Sequence, residues 1–434
     1  MLSKLRRSVH KRDNLEAAWR VIQRNGQYST SDDVRQAIEK FAQNPSKHIS
    51  LLQRKLSRGS FEFGQARGAP IQKLDGKGKP TGKIRPIVIG TLEARIVQRA
   101  VLNVLVEIPK LKPYIVTPYS FGGLRKPATQ GEGEDPIYSA VPAAIKAVLD
   151  EIGNGAHWVA AADITAFFTR IPKSAVLEIV RTAVDDDDLM LLIGEAVAVE
   201  LANLAELRSL ADQFPIEDIG VAQGNSLSPL LGNIILASFD KTMNDGDCRC
   251  IRYIDDFIIL APTKRAANAK LKLAISLLDN LGMTLSPDKS SKEAQPLADG
   301  IEFLGIEVVP GLVRPAKKAR SKFLNSVRLS LDASISAIAA MKQGKALDNK
   351  LALVATLKRV DGTIQGWGKH YWFCNDRQVF SVIDEKIKTE IARYLGAYTS
   401  IRMELPVDKQ HLPLGLSSLS FFDRSPFQYP KLKD

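Results

Sequence analysis

The chain has 434 residues, with 60 Lys plus Arg against 48 Asp plus Glu, a formal net charge of +12. At 45% apolar and 25% charged residues, its composition is that of a globular protein large enough for two or three domains. A disordered, collagenous or disulfide-stapled chain is excluded, and the basic surplus points to a polyanionic partner without saying which.

The N-terminal 60 residues are polar and read as helices. A turn-rich stretch follows from Gly64 to Pro80, and DGKGKPTGK (75–83) reads as a hairpin or flexible loop. KIRPIVIG (83–90) is a short strand with Arg85-Pro86 at its head. From Thr91 to Ile108 the pattern is amphipathic, with Leu92, Ile96, Ala100 and Leu102 in one stripe. Residues 126–136 read as a loop, 137–152 as an Ala/Val-rich helix, and 157–164 as a strand. Residues 173–213 read as helical, and their acidic run Asp185–Asp188 reads as a solvated stretch rather than a metal site. Beyond Pro310 the chain is helical and basic, with 12 Lys/Arg against 3 Asp/Glu between 311 and 370.

Three cysteines, Cys248, Cys250 and Cys374, are too few to staple a secreted chain and fit a reducing cytosol. Cys248 and Cys250 lack the further ligands of a zinc site and read as half-buried thiols on a strand. The basic N-terminus lacks the apolar core of a signal peptide, and no apolar run approaches the roughly 18 residues of a membrane span. A cytoplasmic protein with no membrane partner is the expectation.

The strongest local feature is CIRYIDDFIILAP (250–262). Two apolar runs flank Asp255-Asp256, which reads as a buried hairpin with the acids at its turn. Adjacent buried carboxylates repel and call for a cation. A third acid, Asp163, ends the strand WVAAADI, the tip at which α/β sheets commonly place a site. Three carboxylates converging there would suit two hard divalent cations roughly 3.5–4 Å apart, as in nucleotidyl transfer.

These motifs resemble those of reverse transcriptases. Tyr253-Ile254-Asp255-Asp256 resembles the Y-x-D-D motif, and Asp163 to Phe168 resembles the first palm motif. Gly220 to Asn233 is similar to the Q-G-x-x-x-S-P…N segment. Leu285 to Ser290 resembles the lysine loop, and Phe303-Leu304-Gly305 the primer-grip turn. Lys83 to Pro86, Arg95 to Gln98 and Tyr119 to Gly122 look like fingers motifs of the bacterial group II intron branch, although Tyr119 to Arg125 departs from that pattern after Gly122. The likeness covers roughly residues 70–310 and continues weakly through Ile364 to Tyr371, similar to a thumb-helix motif.

The resemblance implies roles residue by residue. Asp163 and Asp255 become metal ligands, with the Ile164 carbonyl as an extra oxygen and Asp256 completing the charge around two Mg2+, or Mn2+, ions. Lys83 and Arg85 hold the triphosphate, and Phe168 excludes a ribose 2′-hydroxyl. Gln223, Gly224 and Tyr253 face the incoming dNTP. Gln223-Gly224 opens a helix with Ser226 or Ser228 as its cap and Pro229 in its first turn. Lys289 is a general acid for the leaving pyrophosphate. Phe303, Leu304, Gly305 and Trp367 contact primer and template. The basic stretch 311–370 grips the duplex through sequence-independent, salt-sensitive contacts.

The implied fold is α+β, a right-hand polymerase: an N-terminal helical region and fingers (1–110), fingers and palm with the catalytic motifs (111–310), and a basic helical thumb with a tail (311–434). No zinc-knuckle or H-N-H-like region follows the thumb. The V-T-G and N-A-x-x-H segments of retron enzymes are not found. The chain is therefore similar to stand-alone group II-like reverse transcriptases associated with defence against phage. Such an enzyme copies an RNA template, here a non-coding RNA, into DNA from dNTPs, and an accessory protein or a homo-oligomer enters as a further partner. The alternatives are template-independent or protein-primed synthesis at the same site, and a non-catalytic RNA-binding maturase, against which the intact aspartates count.

Overall fold

The computed structural model describes residues 3–74, 80–124, 139–416, 419 and 423–428. The loop read at 126–136, the tip of the 75–83 turn and Arg125 lie outside the described residues. The described chain divides into two compact units, residues 1–304 and 305–434. The expected region 1–110 lies within the first unit, and the expected region 111–310 runs past its end at Leu304.

The first unit opens on four helices, α1 (Lys4–Val9), α2 (Arg12–Gly26), α3 (Asp32–Gln43) and α4 (Pro45–Ser57). They bury Leu15, Trp19, Ile22, Phe41 and Leu56 in the same core as the long helix α5 (Leu92–Leu105). All four residues of the expected α5 stripe are buried there. Thr91 caps α5 by accepting from the Ala94 amide.

Between these helices lies an antiparallel hairpin, β1 (Arg67–Leu74) and β2 (Pro80–Ile89), paired from Arg67↔Ile89 to Leu74↔Pro80. The turn-rich reading of 64–80 therefore missed a full strand. Exposed Ile71, Gln72 and Lys73 carry no apolar alternation that would betray it.

The site rests on a five-stranded sheet, in order β3 (Ser120–Phe121), β5 (Arg249–Tyr253), β6 (Asp256–Ala261), β4 (Trp158–Asp163) and β7 (Gln295–Pro296). Its central strands pair antiparallel, with Trp158↔Ala261 through Asp163↔Asp256. Phe257, Ile258, Ile259, Leu260 and Ala261 are all buried, because β6 is covered on both faces. The covering helices include α6 (Ala140–Gly153), α7 (Lys173–Val184), α8 (Asp187–Val197), α10 (Ser228–Ile235), α11 (Ala237–Met243) and α12 (Lys264–Asp279), with a short helix α9 (Leu204–Leu207) between α8 and α10. Strand β8 (Ile301–Phe303) closes the unit.

Residues 173–213 are not continuously helical. Between α8 and α9 the chain extends, and Leu201 bridges Ala66 at the foot of β1. The Asn203 side chain exchanges hydrogen bonds with the Gly68 backbone. Val199, Leu201, Leu207 and Phe214 form a small core with Val88 and Ala222. The insertion thus braces the β1–β2 hairpin. Its acidic run is structural: Asp186 caps α8 through the Leu189 amide, Asp187 pairs with Arg181, and Asp188 accepts from the Ser3 amide.

The second unit holds a hairpin, β9 (Ile306–Val309) and β10 (Leu312–Pro315), and three long helices, α13 (Lys317–Ala340), α14 (Leu353–His370) and α15 (Arg377–Met403). Phe323, Val327, Leu331, Val360, Ile383, Ile387 and Tyr394 form its core. The sheets are built chiefly from antiparallel pairs with helices packed against them, which is the α+β class.

Candidate active site

Register brings the three aspartates to one end of the sheet. Asp163 ends β4 directly opposite Asp256, which begins β6, and Asp255 sits in the intervening β5–β6 turn. Ile254 has φ 62, a left-handed conformation unfavourable for a β-branched residue. It occupies the first central position of the turn, where glycine is the usual solution. Strain of this kind costs about 1–3 kcal/mol and persists only where neighbours enforce it. Neighbours do so here. The Ile164 amide donates to the Asp255 carbonyl at 2.8 Å, and Arg252 Nη1 donates to the Ile254 carbonyl at 2.8 Å.

Burial, followed by the charges of Asp163 and Asp255, pushes the Asp256 carboxyl up to about 7. Burial also raises Asp255, with the Asp163 charge adding to it. Burial and mutual repulsion thus disfavour the ionised form of both carboxyls. One counter-charge comes from the loop Leu285–Ser290. Its Ser286 amide donates to the Asp163 carbonyl at 2.8 Å, while Ser290 Oγ accepts from the Asp163 amide at 3.2 Å. This lacing delivers Lys289 Nζ to 2.7 Å from Asp163 Oδ2.

No group of three or more His, Cys, Asp or Glu side chains is gathered into a metal-holding arrangement among the described residues. The chemistry of the donor set nevertheless fits a hard divalent cation: carboxylate oxygens, with raised affinity for positive charge, on a fixed backbone. Cys248 and Cys250 offer no alternative. Both are buried rather than half-buried, and burial raises each thiol away from the thiolate a metal requires.

Beside the acids lies a cavity of about 760 Å³ lined by Lys73, Arg85, Ala166, Phe214 and Gln223 among others. Lys83 stands exposed and pairs with Asp288 at 3.1 Å. Lys73, absent from the sequence reading, joins this cationic group. Partial burial and the charges of Arg85, Lys289 and Lys83 lower its ammonium below the usual lysine range, with Asp163 acting in the opposite direction. Its signal was hidden because β1 itself was unread.

Gln223 and Gly224 press against β2, where the Val88 amide donates to the Gln223 carbonyl at 3.0 Å. Gly224 has φ 113, and a Cβ there would come 2.9 Å from the Val88 carbonyl oxygen, so no side chain fits. The helix expected to open here begins instead at Ser228, with no serine cap. Ser228 Oγ donates to the Ala222 carbonyl, and Asn225 Oδ1 accepts from the Leu227 amide. Pro229 does lie in the first turn. Phe168 is half-buried, 5.2 Å from the fully packed Phe167 ring. Tyr253 packs on Gly122, where a Cβ would sit 2.7 Å from its ring.

The remaining expected residues lie elsewhere. Phe303 is buried on β8, and Leu304 (φ 55) and Gly305 (φ 75) form the turn after it. Trp367 is half-buried and packs against the helical core of the second unit, its ring 4.5 Å from Phe323, 4.6 Å from Tyr371 and 5.9 Å from Phe380. The basic surplus there is also partly internal. Arg314 pairs with Glu307 and Asp376, Arg328 with Glu390, and Lys342 with Glu404. Lys317, Lys318, Lys322 and Lys358 make no ion pair among the described residues. No described helix is long and apolar enough to cross a membrane.

Residues 71–308 match the family described as reverse transcriptase (RNA-dependent DNA polymerase). Protein YkfC of Escherichia coli (strain K12) is 24% identical over 297 residues, covering 60% of this chain and 71% of that protein. Among solved structures, a partial Cas6-RT-Cas1–Cas2 complex aligns at 18% identity and TM-score 0.33, over 62% of this chain and 42% of that one. Apo telomerase from Candida tropicalis aligns at 15% identity and TM-score 0.36, over 57% and 53%. The chain spans about half the length of these two solved chains.

Proposed function

This chain belongs to the reverse transcriptase family, and from that premise we propose that it is an RNA-directed DNA polymerase that adds dNMP to a primer 3′-hydroxyl. The observation that carries the reading is the register Asp163↔Asp256 with Asp255 in the adjoining turn, three carboxylates at one sheet end. Asp163 and Asp255, with the Ile164 carbonyl, would hold divalent cations, Mg2+ or Mn2+, and Asp256 would complete the charge. Such ions, when bound, supply activation of the hydroxyl and charge neutralisation at the leaving pyrophosphate.

The chain's own groups do the rest. Lys73, Lys83 and Arg85 bind and orient the triphosphate as fixed cations. Gln223 and the bare backbone of Gly224 line the nucleotide's approach, and Tyr253 flanks it. The Phe168 ring excludes a 2′-hydroxyl, selecting dNTPs. Lys289, paired with Asp163 on a laced loop, would donate its proton to the departing pyrophosphate oxygen once it releases that carboxylate. Phe303, Leu304 and Gly305 support the primer end.

The fingers motifs at Lys83–Pro86, Arg95–Gln98 and Tyr119–Gly122 support a place in the group II intron-like branch. The antiphage role, a dedicated non-coding RNA and a cytoplasmic setting rest on that same likeness. Primer extension on the purified chain, with RNA template, DNA template or none, tests the reading. Incorporation that requires template and copies RNA is the expected result. Product formed equally well without template would replace it with untemplated synthesis, and sequencing of co-purified nucleic acid identifies the RNA.

A further inference from the structure

We infer that Arg252 is a positioning residue for Asp255: it fixes the orientation of the central peptide of the β5–β6 turn, and Asp240 in turn fixes Arg252. Arg252 has no solvent exposure, and the hydrogen bonds of its guanidinium serve this task. Nε and Nη2 grip the Asp240 carboxylate at 2.7 and 2.5 Å, Nη2 also reaches Asn233 Oδ1 at 3.4 Å, and Nη1 donates to the Ile254 carbonyl at 2.8 Å. Asp240 and Asn233 are themselves buried on α11 and α10. Asn244, just beyond α11, holds the underside of β5 by accepting from the Cys250 amide at 2.9 Å and donating to the Cys250 carbonyl at 3.1 Å.

The geometry gives this contact its consequence. In a two-residue hairpin from Tyr253 to Asp256, the central peptide joins Ile254 to Asp255. Turn types of the primed pair differ by rotation of that peptide, which changes ψ of the first central residue and φ of the second. The second is Asp255. A flip of the peptide would therefore swing the backbone that carries the Asp255 carboxylate, and the Arg252 hydrogen bond to the Ile254 oxygen holds it in one state. The planar fork of arginine is needed, because it binds both Asp240 oxygens and still has Nη1 free for the carbonyl. The left-handed Ile254 is the strain that this lock sustains.

The kinetic part of the test rests on the polymerase reading, and the exchange part does not. The double variant Arg252→Met/Asp240→Leu removes the buried pair without leaving one charge alone, so the fold is expected to survive. In the full-length protein with an RNA template, DNA primer and dNTPs, kcat should fall about 100-fold, as misplacement of a reacting group commonly produces. The dNTP KM should stay within about threefold, since nothing in the triphosphate wall has changed. In the same protein, hydrogen exchange at the Ile164 amide, whose acceptor is the Asp255 carbonyl, should rise by about tenfold. The ladder amides of Ile258–Leu260 should exchange as in the wild type.

If the double variant melts well below the wild type, Arg252→Lys replaces it, because lysine keeps the charge opposite Asp240 but cannot fork, and the same losses are expected. Unchanged exchange at Ile164 in a folded variant overturns the inference. So does a kcat equal to that of an active wild type. An inactive wild type overturns the polymerase reading instead, and the exchange result then decides the positioning role alone.

Discussion

The carboxylate end of the five-stranded sheet and the basic helices of residues 305–434 handle charge in opposite ways. At the sheet end, charge is concentrated on a few side chains with fixed partners. The Arg252 and Asp240 side chains are 0% and 9% exposed, and losing one member of such a pair costs about 3–5 kcal/mol. In the second unit, the charge is spread over long solvated side chains. Lys388 and Glu385 are each 71% exposed, and a pair like that contributes about 0–1 kcal/mol. Chemistry at the first site depends on individual residues, whereas attraction at the second depends on their number.

Substitution can sharpen or break that contrast, beginning where the effect is largest. Asp163→Ala should reduce primer extension by about 10³-fold or more, the scale of several kcal/mol of lost charge stabilisation, as measured by single-turnover kinetics. Lys73→Ala or Arg85→Ala should raise the dNTP KM about 10–100-fold, the worth of one or two hydrogen bonds to a charged group. Steady-state titration of dNTP checks this, and an unchanged KM would remove these side chains from the triphosphate wall.

Asp256→Asn should stabilise the metal-free fold by about 1–2 kcal/mol, as relief of a strained site commonly does. The sign follows from linkage. Asp256 binds its proton more tightly folded (about 7) than at its ordinary value of 3.8. The native state is therefore progressively penalised as pH rises from 3.8 to about 7, and the penalty is constant above that range. The Tm advantage of Asp256→Asn should grow over that window and level off, and a pH-independent difference would contradict it. Smallest of all, Lys317→Ala, Lys318→Ala or Lys322→Ala should each weaken duplex binding only a few-fold and reduce the salt slope by about one, read by binding isotherms at several ionic strengths. A 100-fold loss from any one of them would show that binding there depends on single residues after all.

Much of the site was legible because it is local. The Y-x-D-D hairpin, the strand ending at Asp163 and the lysine loop each declare themselves within a dozen residues, and alternation or apolar flanks mark their elements. Features built from distant contacts were not. Arg252 looks like one more surface arginine until α11 brings Asp240 beneath it. Strand β1 carries exposed Ile71, Gln72 and Lys73, so neither the strand nor its lysine could be read. Ser226 and Ser228 have the chemistry of a helix cap, but the start of α10 is buried, and Ser228 satisfies the Ala222 carbonyl instead. Trp367 sits one turn from Tyr371 and reads equally as a nucleic-acid platform or a core ring. In the fold it stacks on Phe323 and stays half-buried, a contact between distant helices that spacing alone does not reveal.

On the proposed reading, the aspartates gathered at the tip of β4 and β6 perform nucleotidyl transfer. Single-turnover extension of a DNA primer on an RNA template, comparing wild type with Asp255→Ala at matched folding, tests it most directly. Templated extension by the wild type and a loss of about 10³-fold or more in the variant are the expected results. Equal extension by the two proteins would contradict it.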